Sequence, residues 1–412
     1  MKTVSCLLAS VFGLLTFGCM NNGNEPNPEN HPPQNFTLVS AANNATGVAL
    51  FPELTWEAAV DPDGDVVTYD LFLDTNSDPS TLLQGGIAGT SFTLTGRLPL
   101  LTTYYWKVVA YDAGGAQTES AVFSFTTRSL NKAKKAVEEA SFSKRNYHSS
   151  VVYDNKLWVI GGLGALTNSN DVWQSSDGVT WTEQTDEAEF AARDLQTSVV
   201  FNNKMWVIAG HTMPLEDDVW SSSNGTTWTM ALEGGEFPQV AGHTSVVFDN
   251  KMWVISGQGK TEAWSSTNGI DWTQATATTA FSGRTLHASV VFDDKMWVLG
   301  GFVGGPFLND VWYSQDGATW TQATGSADFP KRAYHQVVAL DGKMWLIGGL
   351  DNETYFNDVW YSEDGVTWTE ALADAGFSKR RSHTCVVHDN KIWVIAGFDE
   401  SLNLKNDVWY LE

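Results

Sequence analysis

Six copies of one unit fill the chain from residue 142 to the C-terminus, and this repetition limits the possible folds more than any other feature. The copies open on Phe142, Phe190, Phe237, Phe281, Phe329 and Phe377, spaced 48, 47, 44, 48 and 48 residues apart. Each reads roughly F-x-x-R-x-x-H-(x)-S-V-V-F-D-N-K-M-W-V-I-G-G, then a variable loop, then N-D-V-W-Y-S-x-D-G-x-T-W-T. A period of about 40–50 residues, built of short β-branched and aromatic runs without helical spacing, belongs to propeller blades. The fold class expected is all-β, a six-bladed propeller preceded by a β-sandwich.

The strands follow from local pattern. Val-Val-Phe, Met-Trp-Val-Ile and Asp-Val-Trp-Tyr are bounded by Gly, Asn and Asp, as strands are. The Met-Trp-Val-Ile run is apolar at every position, which suits a strand covered on both faces by neighbouring blades. Asp-Asn-Lys (154–156, 249–251, 389–391) and Asp-Gly (177–178, 316–317, 364–365) are turns. A full unit holds three tryptophans, such as Trp158, Trp173 and Trp181, yet the last stops at Trp409-Tyr410-Leu411-Glu412. It lacks an outer strand, and residues 131–137, just upstream of the first unit, are expected to supply it and remove an open sheet edge.

The glycine pair after an apolar strand, followed by Asn-Asp-Val-Trp and a final Trp, resembles the kelch repeat. The resemblance covers about residues 131–412 and implies a kelch-like propeller. For function it implies little, since such propellers include protein-binding scaffolds, a copper oxidase and a sialic acid epimerase. The third unit departs most, with Ser256-Gly257 for Gly-Gly and Thr261-Glu262-Ala263 for Asn-Asp-Val.

Two segments precede the propeller, residues 128–412. Residues 1–18 carry Lys2, an apolar run from Val4 to Phe17 and then Gly18-Cys19, a signal peptide rather than a spanning helix. The junction resembles a bacterial lipoprotein processing site, although Leu15 lies four residues before the cysteine instead of three. That resemblance implies a lipidated Cys19, residues 19–34 as a flexible tether, and an exported, cell-envelope protein, at the outer membrane in a Gram-negative host. Residues 35–127 hold about seven short strand-like runs. Leu54-Thr55-Trp56 and the run from Leu98 through Tyr104 to Asp112 resemble a fibronectin type III domain, with Trp56 as its core tryptophan and Tyr104 as its tyrosine corner. A spacer or docking role follows. Asp61-Pro-Asp-Gly-Asp65 places three carboxylates in one loop, but reads as a solvated turn because the longer ligand set of a calcium site is missing.

Composition narrows the partners. With 48 acidic against 24 basic residues the net charge is −24, which disfavours nucleic acid and anionic lipid surfaces; the membrane is expected to be met only through the lipid anchor. Beyond the signal peptide only Cys19 and Cys385 remain, so no disulfide framework is expected. Cys385 aligns with Ser150, Ser198, Ser245 and Ser289, which suits a small buried residue.

Arginine stands three residues after the opening Phe at 145, 193, 284, 332 and 380, with Val240 the exception, and histidine six after it at 148, 243, 287, 335 and 383, with Gln196 the exception. These positions should flank the axial mouth. One reading is a ligand clamp: Arg145, Arg193, Arg284, Arg332 and Arg380, with Arg381, Tyr147, Tyr334 and His335, holding a carboxylate, sulfate or sugar, with Tyr355 adding stacking surface. The other is structural, with the arginines bonded to carbonyls or carboxylates of neighbouring blades such as Asp171, Asp310, Asp358 and Asp407, because few ligands have six-fold symmetry. Breaks in the pattern (Val240, Gln196, His211, Arg381 and the variable loops) are then where function concentrates. No catalytic residue, cofactor motif or metal-ligand spacing stands out. The reading inclines to a monomeric binding or adhesion module for a glycan or protein partner. The alternative is a carbohydrate-active enzyme on acidic sugars, resembling a sialic acid epimerase, with an acid/base Glu such as Glu216, Glu353 or Glu400 near the arginines.

Overall fold

The computed structural model describes residues 29–412 and is all-β. Cys19, the signal peptide and the first part of the tether lie outside the described residues. Two compact units divide the chain: residues 29–98 with 102–127, and residues 99–101 with 128–412.

In the first unit, three strands (Leu38–Ser40, Glu53–Trp56, Ser91–Thr93) form one sheet. A larger sheet is built around Thr68–Asp74 and Thr103–Tyr111. Side chains alternate buried and half-buried along Thr68–Asp74. Tyr69, Leu71 and Leu73 thereby join Leu54, Trp56, Trp106, Val108 and Phe125 in one core drawn from both sheets. Tyr104 stacks on Phe125. At the acidic loop, Asp61 Oδ1 accepts the backbone N–H groups of Asp63 and Asp65, while Asp63 meets His31. Asp61 Oδ1 thus serves the turn.

The second unit is the propeller. Five four-stranded antiparallel sheets follow one another, the first being Ser149–Tyr153, Lys156–Leu163, Asn168–Ser175 and Thr182–Thr185. In the sixth, Lys134–Val137 pairs antiparallel with Leu404–Leu411. Successive innermost strands neighbour one another around the whole circle, with Thr384–His388 beside Ser149–Tyr153.

The repeated residues explain this arrangement. The second strand of each sheet is buried from end to end (Leu157 to Ile160, Met344 to Ile347). Apolar clusters join each blade to the next; one contains Trp158 and Ile160 together with Phe190, Met205 and Trp228. The opening Phe meets the outer-strand Trp edge-on, as Phe142 does Trp181 at 5.0 Å, an arrangement favoured by the ring quadrupoles. The Asn of Asn-Asp-Val-Trp latches the loop that leads into the next blade. Asn170 donates to the carbonyls of Ala188 and Phe190, and Asn406 does the same to Ala140 and Phe142. The paired glycines are needed where the backbone passes the axial residues: a Cβ on Gly162 would strike the backbone and side chain of His148.

Candidate functional site

The five arginines lie inside the blades. Arg145, Arg193, Arg284, Arg332 and Arg380 are at most 1% exposed, and each clamps a carboxylate of its own blade through both terminal nitrogens. The partners are Asp171, Asp218, Asp310, Asp358 and Asp407, at 2.6–2.9 Å. Nη1 also donates to a second-strand carbonyl, Gly161 in the first blade and Gly348 in the fifth. The same aspartate accepts the indole N–H of the Trp two residues on, as in Asp171 with Trp173 and Asp358 with Trp360. Charge and hydrogen-bond capacity are consumed internally, as a buried ion pair requires.

The clamp reading of these five is therefore corrected, and the acidic-sugar enzyme loses the guanidiniums on which it relied. The structural reading also changes in detail, because the carboxylates belong to the same blade rather than a neighbour. The third blade held the clue: where Arg becomes Val240, the Asp position becomes Glu262, whose carboxylate takes only the Trp264 indole of that pair of partners. Two positions departing together indicate a contact.

The axis itself is built by the residues that follow. Tyr147, Leu195, Gly242, Leu286, Tyr334 and Ser382 occupy equivalent places, all with φ between 54° and 60°. Each donates its N–H to the carbonyl of its counterpart in an adjoining blade, at 2.8–3.3 Å, and Tyr147 to Ser382 completes the circle. A closed collar of six peptide groups results. Below it lies a cavity of about 200 Å³ lined by the starts of the innermost strands, including Cys385 and all five repeated histidines. Hydroxyls pair across its wall: Ser149 with Ser198, Thr197 with Ser245, Thr244 with Ser289 and Thr384 with Ser150, at 2.6–2.7 Å. Thr197, Thr244 and Thr384 also meet Nε2 of His243, His287 and His148 at 2.8–2.9 Å. Burial pushes His148, His287 and His335 well below the ordinary imidazole value, and His243 and His383 down to about 3. These rings are neutral at physiological pH. Burial likewise raises the pKa of the Cys385 thiol, which leaves it a poor nucleophile.

Arg381 differs from the repeated arginines. It is half-buried at the mouth, donates to the Tyr147 hydroxyl at 2.8 Å, and lies 5.0 Å from the ring centres of both Tyr334 and Phe398. Tyr147 and Tyr334 come within 6.0 Å of each other across the sixth blade, where the small Ser382 leaves room, and Tyr355 joins the group through its hydroxyl. No carboxylate pairs with Arg381 among the described residues, and its buried Nε has no partner. Of the residues singled out in the sequence, the structure thus gathers Arg381, Tyr147, Tyr334 and Tyr355, with His335 in the cavity beneath. Across the mouth, His211 pairs with Asp194 at 2.8 Å. Among the described residues, no group of three or more His, Cys, Asp or Glu is placed to hold a metal ion.

The sequence pattern pointed to the variable loops, 163–169, 211–217 and 398–405 among them, but not to the individual mouth residues Leu166, Met213 and Leu402. They stand in the variable loops between second and third strands, on blades 1, 2 and 6, and are 95, 94 and 70% exposed. Because strands alternate in direction, these loops open on the collar face.

Comparison with known proteins agrees with this architecture. Residues 224–397 match a family model described as the KLHDC2/KLHL20/DRC7 Kelch-repeats domain, and residues 144–174 match the Kelch motif. A solved structure, "Structure of YjhT", superposes with a TM-score of 0.55 at 14% identity, covering 67% of this chain and 96% of that one. At that identity the likeness speaks to fold. No curated protein sequence matches the chain.

Proposed function

We propose that this kelch-type β-propeller is a binding module, exported and tethered through a lipidated Cys19, whose mouth engages a protein partner. The observation that carries the reading is the mouth sector around blades 5, 6, 1 and 2. There Arg381 is held against Tyr334 and Phe398 without a carboxylate, and exposed Leu166, Met213 and Leu402 stand in loops of blades 1, 2 and 6 on the same face. Single exposed apolar residues are ordinary. Three on consecutive blades, on the same face as an aromatic-backed arginine, make the composition that protein interfaces favour at their centres. A glycan remains the other occupant the mouth chemistry allows, but flexible aliphatic tips suit it less than flat aromatic surface. In this proposal the first unit is a fibronectin type III-like spacer or docking module.

The test places a photo-crosslinking residue at Leu166 of the full chain in its own host, with and without Arg381→Ala. A discrete protein adduct, lost in Arg381→Ala, is the expected result. Because Arg381 is half-exposed, that variant should melt within about 1 kcal/mol of the parent. A thermal shift with sialic or uronic acids that Arg381→Ala abolishes, without any protein adduct, would replace the protein reading with the glycan one.

A further inference from the structure

The wall of the axial cavity is unequal. From the sixth blade through the fourth, hydroxyl pairs run without a gap and three histidines bond to threonines of the preceding blade. From the fourth blade to the sixth the pattern fails. Ala288 stands where Thr244 stands one blade earlier, facing Val337 in place of a serine, and Gln336 faces Cys385. Two buried imidazoles lose their partners as a result. His335 and His383 are each 1% exposed, and neither has the threonine that bonds Nε2 of His243, His287 and His148, so their Nε2 atoms are without a partner. Each ring has a backbone carbonyl as a hydrogen-bonding neighbour, Leu299 for His335 and Ile347 for His383, as His287 has Ile255. Buried polar atoms in folded proteins nearly always find partners, so two such Nε2 atoms on one side of one cavity call for an occupant.

We propose that the axial cavity binds a small uncharged polyhydroxy molecule against the wall formed by Ala288, His335, Gln336, Val337, His383 and Cys385. A neutral imidazole offers one donor and one acceptor, and its tautomer decides which of them Nε2 presents, so a guest that can both donate and accept suits either form. Hydroxyl groups do both; a carboxylate only accepts. The alternation of imidazole with Ala288, Val337 and the Cys385 thiol matches the mixed C–H and O–H surface of a polyol. A cavity of about 200 Å³ has room for a small guest of several non-hydrogen atoms as well as for water. The site lies beneath the collar and does not depend on the partner proposed for the mouth.

The test is saturation-transfer NMR and titration calorimetry on the full chain with meso-erythritol and D-xylose, and acetate as an acceptor-only control. Ala288→Thr supplies the missing hydroxyl to His335, as Thr244 does to His287; Ala288→Ser does so with less bulk. The expected result is polyol binding to the parent, weakened at least tenfold in a threonine or serine variant that melts no lower than the parent, with no acetate binding. No polyol signal with the parent, leaving water as the sole occupant, would overturn the proposal. So would undiminished affinity in a folded Ala288→Ser variant, or acetate competing equally with the polyols.

Discussion

A single side chain can show how strongly the axis depends on neutrality. His243 sits in the cavity wall with Nε2 on Thr197, and burial lowers its pKa to about 3. In the unfolded chain an imidazole titrates near 6.5. Between these values the unfolded state holds the extra proton, so the contribution of His243 to stability is intact above about pH 6.5. It is lost progressively as pH falls toward 3. One such group should cost about 2 kcal/mol on going from pH 7 to pH 5. Gln196 already occupies the equivalent place in the second blade and donates to the Ile160 carbonyl, so His243→Gln is a replacement the fold accepts. Urea unfolding at both pH values should show the variant losing about 2 kcal/mol less than the parent over this interval; equal losses would mean that His243 is charged or solvated in the folded state. The repeat pattern placed this histidine beside the axis but could not show its charge. Periodicity locates a residue, whereas burial and the partners across the blade gap decide its ionisation. The same limit applies to the arginines: F-x-x-R gave their register and the Asp of Asn-Asp-Val-Trp was one candidate partner, but the pattern left the clamp and structural readings open and put that partner on a neighbouring blade.

Strands and turns were far more legible, because each is announced by local chemistry: β-branched and aromatic runs, and Asp-Gly or Asn-Gly between them. The second duty of those turns was hidden. Gly178 lies on the Trp393 ring of the adjoining blade, and Gly225, Gly269, Gly317 and Gly365 lie likewise on Trp158, Trp206, Trp253 and Trp297. The Ser175 hydroxyl accepts the Gly178 N–H at 2.9 Å, and Asp177 accepts those of Val179 and Thr180. The turn thus works as a lock between blades. A Cβ on Gly178 would enter the Trp393 ring, on a backbone with φ of 72°. Gly342 has nearly the same φ, 69°, but open space around it. Gly342→Ala should therefore cost only the left-handed strain, about 1–2 kcal/mol. Gly178→Ala adds overpacking and should cost roughly 3–5 kcal/mol. Thermal or urea unfolding of the two variants compares them directly; equal losses would show that the ring contact contributes nothing.

For the whole propeller, the question is how a linear chain becomes a ring with no free edge. The tryptophan count, seventeen in the propeller where six full units would hold eighteen, exposes the missing strand in the sequence itself, since a tryptophan marks the second, the third and the start of the outer strand of each full unit. The structure sets Lys134–Val137 against Leu404–Leu411. Lys135 lies 4.7 Å from the Trp409 ring centre, and Lys134 and Arg128 bond to Glu412. Two exposed lysine contacts are worth little. The gain comes from satisfying the backbone of Leu404–Leu411, and from Asn406 catching the carbonyls of Ala140 and Phe142 to join the last blade to the first. Removing residues 131–137 leaves that strand with a bare row of N–H and C=O groups, which recruits a second copy or aggregates. The deletion variant should elute as dimers or larger species by size-exclusion chromatography with light scattering. A synthetic peptide spanning 128–140, added in excess, should return it toward monomer by pairing in trans. A deletion variant that stays monomeric and melts with the parent would show that the ring is held by its apolar blade contacts, with the added strand an accessory. The peptide experiment decides whether covalent continuity matters: if the peptide restores the monomer, the pairing alone closes the ring.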